Sequence, residues 1–275
     1  MTYRELAMSL SPELKSLLES DSAEDTWCSP PKEGKSLELV TLVSLYSAAQ
    51  ELGAHPALPA FVATEPELYF LRNEYPHQHG AQAGHSAISH SLSKRFLGAL
   101  TPKFSFDVEG TTYSLFREGY PLHLVNYYLE SGSSYRDRPD FVVVQGRYLA
   151  SSRNSICTYT VEVDGKVGRA EFREIDSMSP QVVSWELPPD VIRPPLAAFE
   201  CSWNKRPKTA AKQLDRYRNL FGMSEGPNSF FVSAREQMEE VVPTITVGPN
   251  ESRAREITGR FAEALGLALE LRSNR

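Results

Sequence analysis

Residues 194–205 read "PPLAAFECSWNK". Two prolines open the run, four apolar residues follow, and a glutamate, Glu200, ends it. A short apolar run bounded by turn residues is what a strand buried on both faces looks like. A carboxylate at its end is costly in a dry interior unless it reaches solvent or meets a cation. A second stretch of the same kind, "RPDFVVVQGRYL" at 138–149, begins with an acid, Asp140, and runs on as a β-branched strand. Two core strands, each carrying an acid at one end, set the frame for the rest of the chain.

Working outward, the period of the sequence changes along its length. "SPELKSLLES" (11–20) has Ser11 as an N-cap and Pro12 at the first helical position. The segment Leu37–Leu52 is apolar on nearly every face and stops at Gly53, with Pro56 beyond, which predicts a buried helix carrying one acid, Glu38, in its first turn. Residues 57–100 read as helical pieces around "PHQHGAQAGHSAISHSLSKRF". From about residue 103 alternation takes over, in "KFSFDVEGTTYSLFREG", in "LHLVNYYLES" and in "CTYTVEVDGKVGRAEFREI", where Asp164-Gly165 signals a tight hairpin. "RPKTAAKQLDRYRNLFG" is a helix opened by Pro207 and closed by Gly222, with Ala210, Leu214, Tyr217 and Phe221 on one face. Strands near "NSFFVSA" and "VVPTITVG" and a helix over 251–271 complete an α/β order, a central mixed sheet flanked by helices.

Composition narrows the classes. The chain has 275 residues, 41% hydrophobic and 23% charged, with a net charge of −6, which describes one folded domain with insertions and no overall basic excess. Residues 1–33 form an N-terminal extension, and its first thirty residues are the loosest part of the chain by composition. Three cysteines in no CxxC pairing suit a reducing compartment. The start lacks the basic and apolar regions of a leader, and the apolar stretch at 37–49 is interrupted by Ser, Thr and Glu, so a cytoplasmic protein without a membrane span is expected.

Asp140 and Glu200, projecting from neighbouring strands, would repel each other unless a hard divalent cation lay between them, and Mg²⁺ is the natural occupant. Directly after Glu200 come Lys205, Arg206, Lys208, Lys212, Arg216 and Arg218, against a single acid, Asp215. Taken alone, such a run is as well explained by a solvated helix face, and each acid alone by a turn or a surface ion pair. Together they place a metal site beside a polyanion-binding patch, the combination that phosphodiester hydrolysis requires.

The order of these features resembles the PD-(D/E)XK nuclease superfamily, which includes many type II restriction endonucleases. The resemblance rests on Glu38 in "GKSLE", "RPD" opening one strand, "FEC" ending the next core strand, and a helix carrying "KQLDRY". It implies a restriction-endonuclease-like core formed by residues 34–52 and 131–235, with an inserted β-hairpin, and a recognition region over 57–130. It implies metal binding by Asp140 and Glu200 and a supporting or metal-linked role for Glu38. Gln213 and Tyr217 would stand near the site, and Lys205, Arg206, Lys208, Gln213 and Arg216 would meet nucleic acid. The expected activity is that of a Mg²⁺-dependent DNA endonuclease of restriction or host-defence type, with Mn²⁺ as a substitute, working as a homodimer.

Two features depart from that pattern. The superfamily lysine falls at position 202, where this chain has Ser202, and 60 residues separate the two acids. The hairpin accounts for the length. Lys205, Lys208 or Lys212 would have to reach back in place of the lysine, and Lys212, on the face next to that of Gln213, is the preferred substitute. The alternative is a nuclease-like module that binds nucleic acid or a protein without cutting. Asp164-Gly165-Lys166 fits the short motif literally, 24 residues after Asp140, but "DG" between alternating strands is first of all a turn. His77, His79, His85 and His90 match no common zinc spacing. No G-x-S-x-G, P-loop or G-x-G-x-x-G motif occurs.

Overall fold

The structure is a computed structural model that describes residues 3–11, 13–14, 33–58, 101–117, 139–153, 156–173, 181–188, 191, 194–202, 207–223, 228–234, 243–247 and 254–273. Its helices are α1 (Tyr3–Leu10), α2 (Glu33–Glu51), α3 (Pro207–Phe221) and α4 (Ala254–Ser273). Its strands are β1 (Phe104–Val108), β2 (Thr111–Arg117), β3 (Phe141–Gln145), β4 (Arg147–Arg153), β5 (Ile156–Val163), β6 (Lys166–Arg173), β7 (Gln181–Glu186), β8 (Ala197–Ser202), β9 (Ser229–Ser233) and β10 (Thr244–Thr246). The architecture is α/β, with a mixed six-stranded sheet in the order β1-β2-β3-β8-β9-β10 and an antiparallel four-stranded sheet in the order β4-β5-β6-β7.

Helix α2 is the pivot. Residues 37–49 are all buried, because α1 and α4 pack on it from one side and β8 lies on the other. Its acid lies in the second turn rather than the first, since the helix begins at Glu33. It ends in paired bonds, Gly53 N to Gln50 O at 2.9 Å and Ala54 N to Ala49 O at 3.1 Å, a closure that requires the positive φ of 77° at Gly53. Of the N-terminal segment expected to be loose, α1 is packed, with Leu6, Ala7 and Leu10 buried in the main core and Ser47 Oγ donating to Leu10 O at 2.9 Å, while residues 15–32 lie outside the described residues.

The stretch "FVVVQGRYL" is not one strand. It breaks at Gly146 (φ 119°), where a Cβ would lie 2.5 Å from Val163 Cγ2, and continues as β4 in the other sheet. β3 itself is buried on both faces: Phe141 and Val143 join the core under α2 and α4, while Val142 and Val144 join one formed with α3 and the inner face of the four-stranded sheet. Where one hairpin is expected between the strands of Asp140 and Glu200, four antiparallel strands stand, with β5 and β6 turning at Asp164 (φ 51°) and Gly165. Of the other sequence expectations, the strand in "LHLVNYYLES", the helical pieces and histidines of 59–100 and most of the helix at 11–20 lie outside the described residues. No helix among the described residues is long and apolar enough to cross a membrane.

Candidate active site

β3 and β8 pair antiparallel with Phe141 opposite Phe199 and Val142 opposite Ala198. Continued one step beyond the paired residues, that register would set Asp140 across from Glu200. Opposite residues of an antiparallel pair share a face, with Cβ atoms roughly 5 Å apart. The face is that of Val142 and Ala198, the side on which α3 packs. Asp140 Oδ2 accepts a hydrogen bond of 2.6 Å from the Cys201 main-chain N–H, which fixes this carboxylate beside Glu200. Glu200 is buried, 4% exposed, and Asp140 is half-buried.

α3 supplies a polar chain to the same carboxylate. Ala210, Leu214 and Tyr217 recur at helical spacing and are buried against the sheet. The Tyr217 hydroxyl donates to Glu200 Oε2 at 3.2 Å, and Gln213 Nε2 donates to the Tyr217 oxygen. Burial first, and then the charge of Glu200, hold the Tyr217 hydroxyl far above its ordinary pKa. Tyr217 is therefore a neutral donor toward Glu200 near neutral pH.

On the opposite face of the sheet, Glu38 and Thr41, neighbours on one side of α2, each reach a strand. Arg117 at the end of β2 donates to Glu38 Oε2, and both side chains are buried. The Cys201 thiol donates to Thr41 Oγ1 at 3.4 Å. Burial and then the charge of Asp140 push the Cys201 thiol up, the Thr41 bond opposes this, and Glu38 and Glu200 push it further. Cys201 thus lies within electrostatic reach of all three acids.

The geometry brings Asp140, Glu200, Gln213 and Tyr217 together and places Glu38 nearby, engaged by Arg117. Lys212 is not part of this group. It is exposed, and two residues on from Ala210 it stands about 200° round the helix, so its side chain leaves on the far side from Tyr217. Lys208 and Arg216 are exposed on the same outer side. Ser202 is half-buried at the end of β8, while Lys205 and Arg206 lie outside the described residues. Two participants that sequence reading missed are Arg117 and Thr41. Neither sits in a motif, and Arg117 meets Glu38 across 79 residues of chain.

Among the described residues no group of three or more His, Cys, Asp or Glu could hold a metal ion by itself. Two opposed carboxylates are nonetheless the donor set that Mg²⁺ accepts, because it keeps most of its waters and takes one or two protein oxygens beside those of a phosphate. Compared with protein-family models, with curated proteins and with solved structures, the chain matches none.

Proposed function

We propose that the chain is a Mg²⁺-dependent DNA endonuclease with a core of the PD-(D/E)XK kind, elaborated by the four strands between β3 and β8. The reading is carried by one observation, the 2.6 Å hydrogen bond from the Cys201 N–H to Asp140 Oδ2, which ties the Asp140 carboxylate to β8 next to Glu200. The element order supports it: a helix bearing Glu38, antiparallel strands β2, β3 and β8, helix α3, and then β9 parallel to β8. Asp140 and Glu200 hold the cation, which when bound lowers the pKa of a water and balances charge on the phosphate. Cys201 N–H and Tyr217 orient the two carboxylates, and Gln213 orients Tyr217. Cutting both strands of a duplex calls for two copies of the chain.

Incubating the protein with varied plasmid DNA and Mg²⁺, beside an Asp140→Ala control, tests the reading. Cleavage by the wild type and none by the control is expected, and no cleavage of any DNA by the wild type would sink it. Tyr217→Phe removes the bond to Glu200 while keeping the ring that packs under α3. We expect cleavage to slow by about tenfold or more, as for other groups that orient a metal ligand. An unchanged rate would show that Glu200 needs no such support.

A second reading has its own observation: neither Ser202 nor Lys212 brings an ammonium group to the acids. In that case the chain is a nucleic-acid-binding module without hydrolysis, on either DNA or RNA. For both readings Lys208, Lys212 and Arg216 on the outer side of α3 supply phosphate contacts. Changing one of them to Gln should weaken binding alike on all sequences and lower the salt slope by about one. A loss confined to one sequence would count against this. Mg²⁺ titration separates the readings, since salt-dependent DNA binding with no metal affinity supports the second alone.

A further inference from the structure

We infer that the acidic site takes one divalent cation, not two, and that Glu38 is a positioning residue rather than a ligand to it. The inference rests on the metal reading of Asp140 and Glu200 given above. Three acids lie around Cys201, and three carboxylates are enough to hold a pair of ions. The Glu38 carboxylate, however, is engaged by the Arg117 guanidinium, with the two side chains 9% and 0% exposed. To ligate a metal it would have to give up its bond to the Arg117 guanidinium in a place almost without water, which costs more than freeing a surface carboxylate would.

Strand geometry separates the groups in the same way. Arg117 registers with Phe141, and Leu115, Phe141 and Phe199 all point to the α2 side. Asp140 and Glu200 share the parity of Val142 and Ala198, which point to the α3 side. Glu38 acts instead through α2. Its bond to Arg117 and the Thr41 bond from Cys201 come from adjacent turns and seat the helix on β2 and β8, and it is Cys201 whose N–H holds Asp140.

The test is a titration of the full chain with Mn²⁺, followed by the electron paramagnetic resonance signal of the free ion. One ion per wild-type chain is expected, and this needs no variant. Glu38→Gln keeps an acceptor oxygen for Arg117, and the paired change Glu38→Met with Arg117→Leu removes both charges together. Both should still bind one ion, and the paired variant should match the wild-type Kd. Asp140→Asn should weaken binding by about tenfold or more. A second ion on the wild type, or an equal tenfold loss in both Glu38 variants, overturns the inference while leaving the hydrolase reading standing. A wild-type chain that binds no ion removes both.

Discussion

On the proposed function, Asp140→Asn should yield a folded protein that has lost cleavage, with the rate reduced by about a hundred- to a thousandfold, the scale on which removing one preorganised electrostatic group from a reaction centre acts. The substitution is nearly isosteric, and Asn keeps a carbonyl oxygen that can accept the Cys201 N–H now bonded to Asp140 Oδ2 at 2.6 Å. What it removes is one of two opposed negative charges. Without metal, therefore, the variant should melt no lower than the wild type, because the repulsion from Glu200 has been relieved. With metal the two should diverge. Mg²⁺ at a hundred times its Kd stabilises a one-site protein by about 2.7 kcal/mol, and the variant should gain little at the same concentration. Thermal melts with and without Mg²⁺, run beside the cleavage assay, check both parts. A variant that loses activity but melts well below the wild type without metal would show Asp140 to be a structural acid.

The acids could be found in the sequence because they interrupt a local pattern. Glu200 ends an apolar run and Asp140 begins one, and both are placed by strand periodicity alone. Helix α2 was legible for the same reason, being apolar on nearly every face, and α3 because Pro207 and Gly222 bracket it and Ala210, Leu214 and Tyr217 recur at helical spacing. The break at Gly146 was not legible, since it depends on the close approach of Val163, which belongs to a strand not yet formed when "FVVVQGRYL" is read as text. β7 lacks clean alternation: its pairing with β6 shifts at Glu171 and Phe172, and Val183 and Trp185 are exposed. Helix α1 owes its burial to α2 and α4 rather than to its own short sequence. Helical spacing puts Lys212 on the face next to Gln213, and only the packing of α3 on the sheet shows that face to be exposed. Glu38 carried a charge that the sequence could locate, but its partner Arg117 is fixed only by the fold.

The pair of Glu38 and Arg117 leads to the second large effect, on stability rather than activity. Glu38→Ala should lower the unfolding free energy by about 3–5 kcal/mol, since it leaves the Arg117 guanidinium buried without the carboxylate that engages it. The paired change Glu38→Met with Arg117→Leu should be close to neutral, because two apolar side chains of similar volume replace two charges whose desolvation their mutual attraction offsets only in part. Urea denaturation of the three proteins measures this directly, with the m-value confirming that the same surface is exposed in each. If Glu38→Ala and the paired variant lose the same amount, the pair is not the source of the loss, and packing of the glutamate stem against α2's surroundings is. The expected non-additivity also guards the reading of activity: a slow Glu38→Ala enzyme whose paired counterpart is fast has lost the seating of α2 on β2 and β8, and not a ligand of the metal.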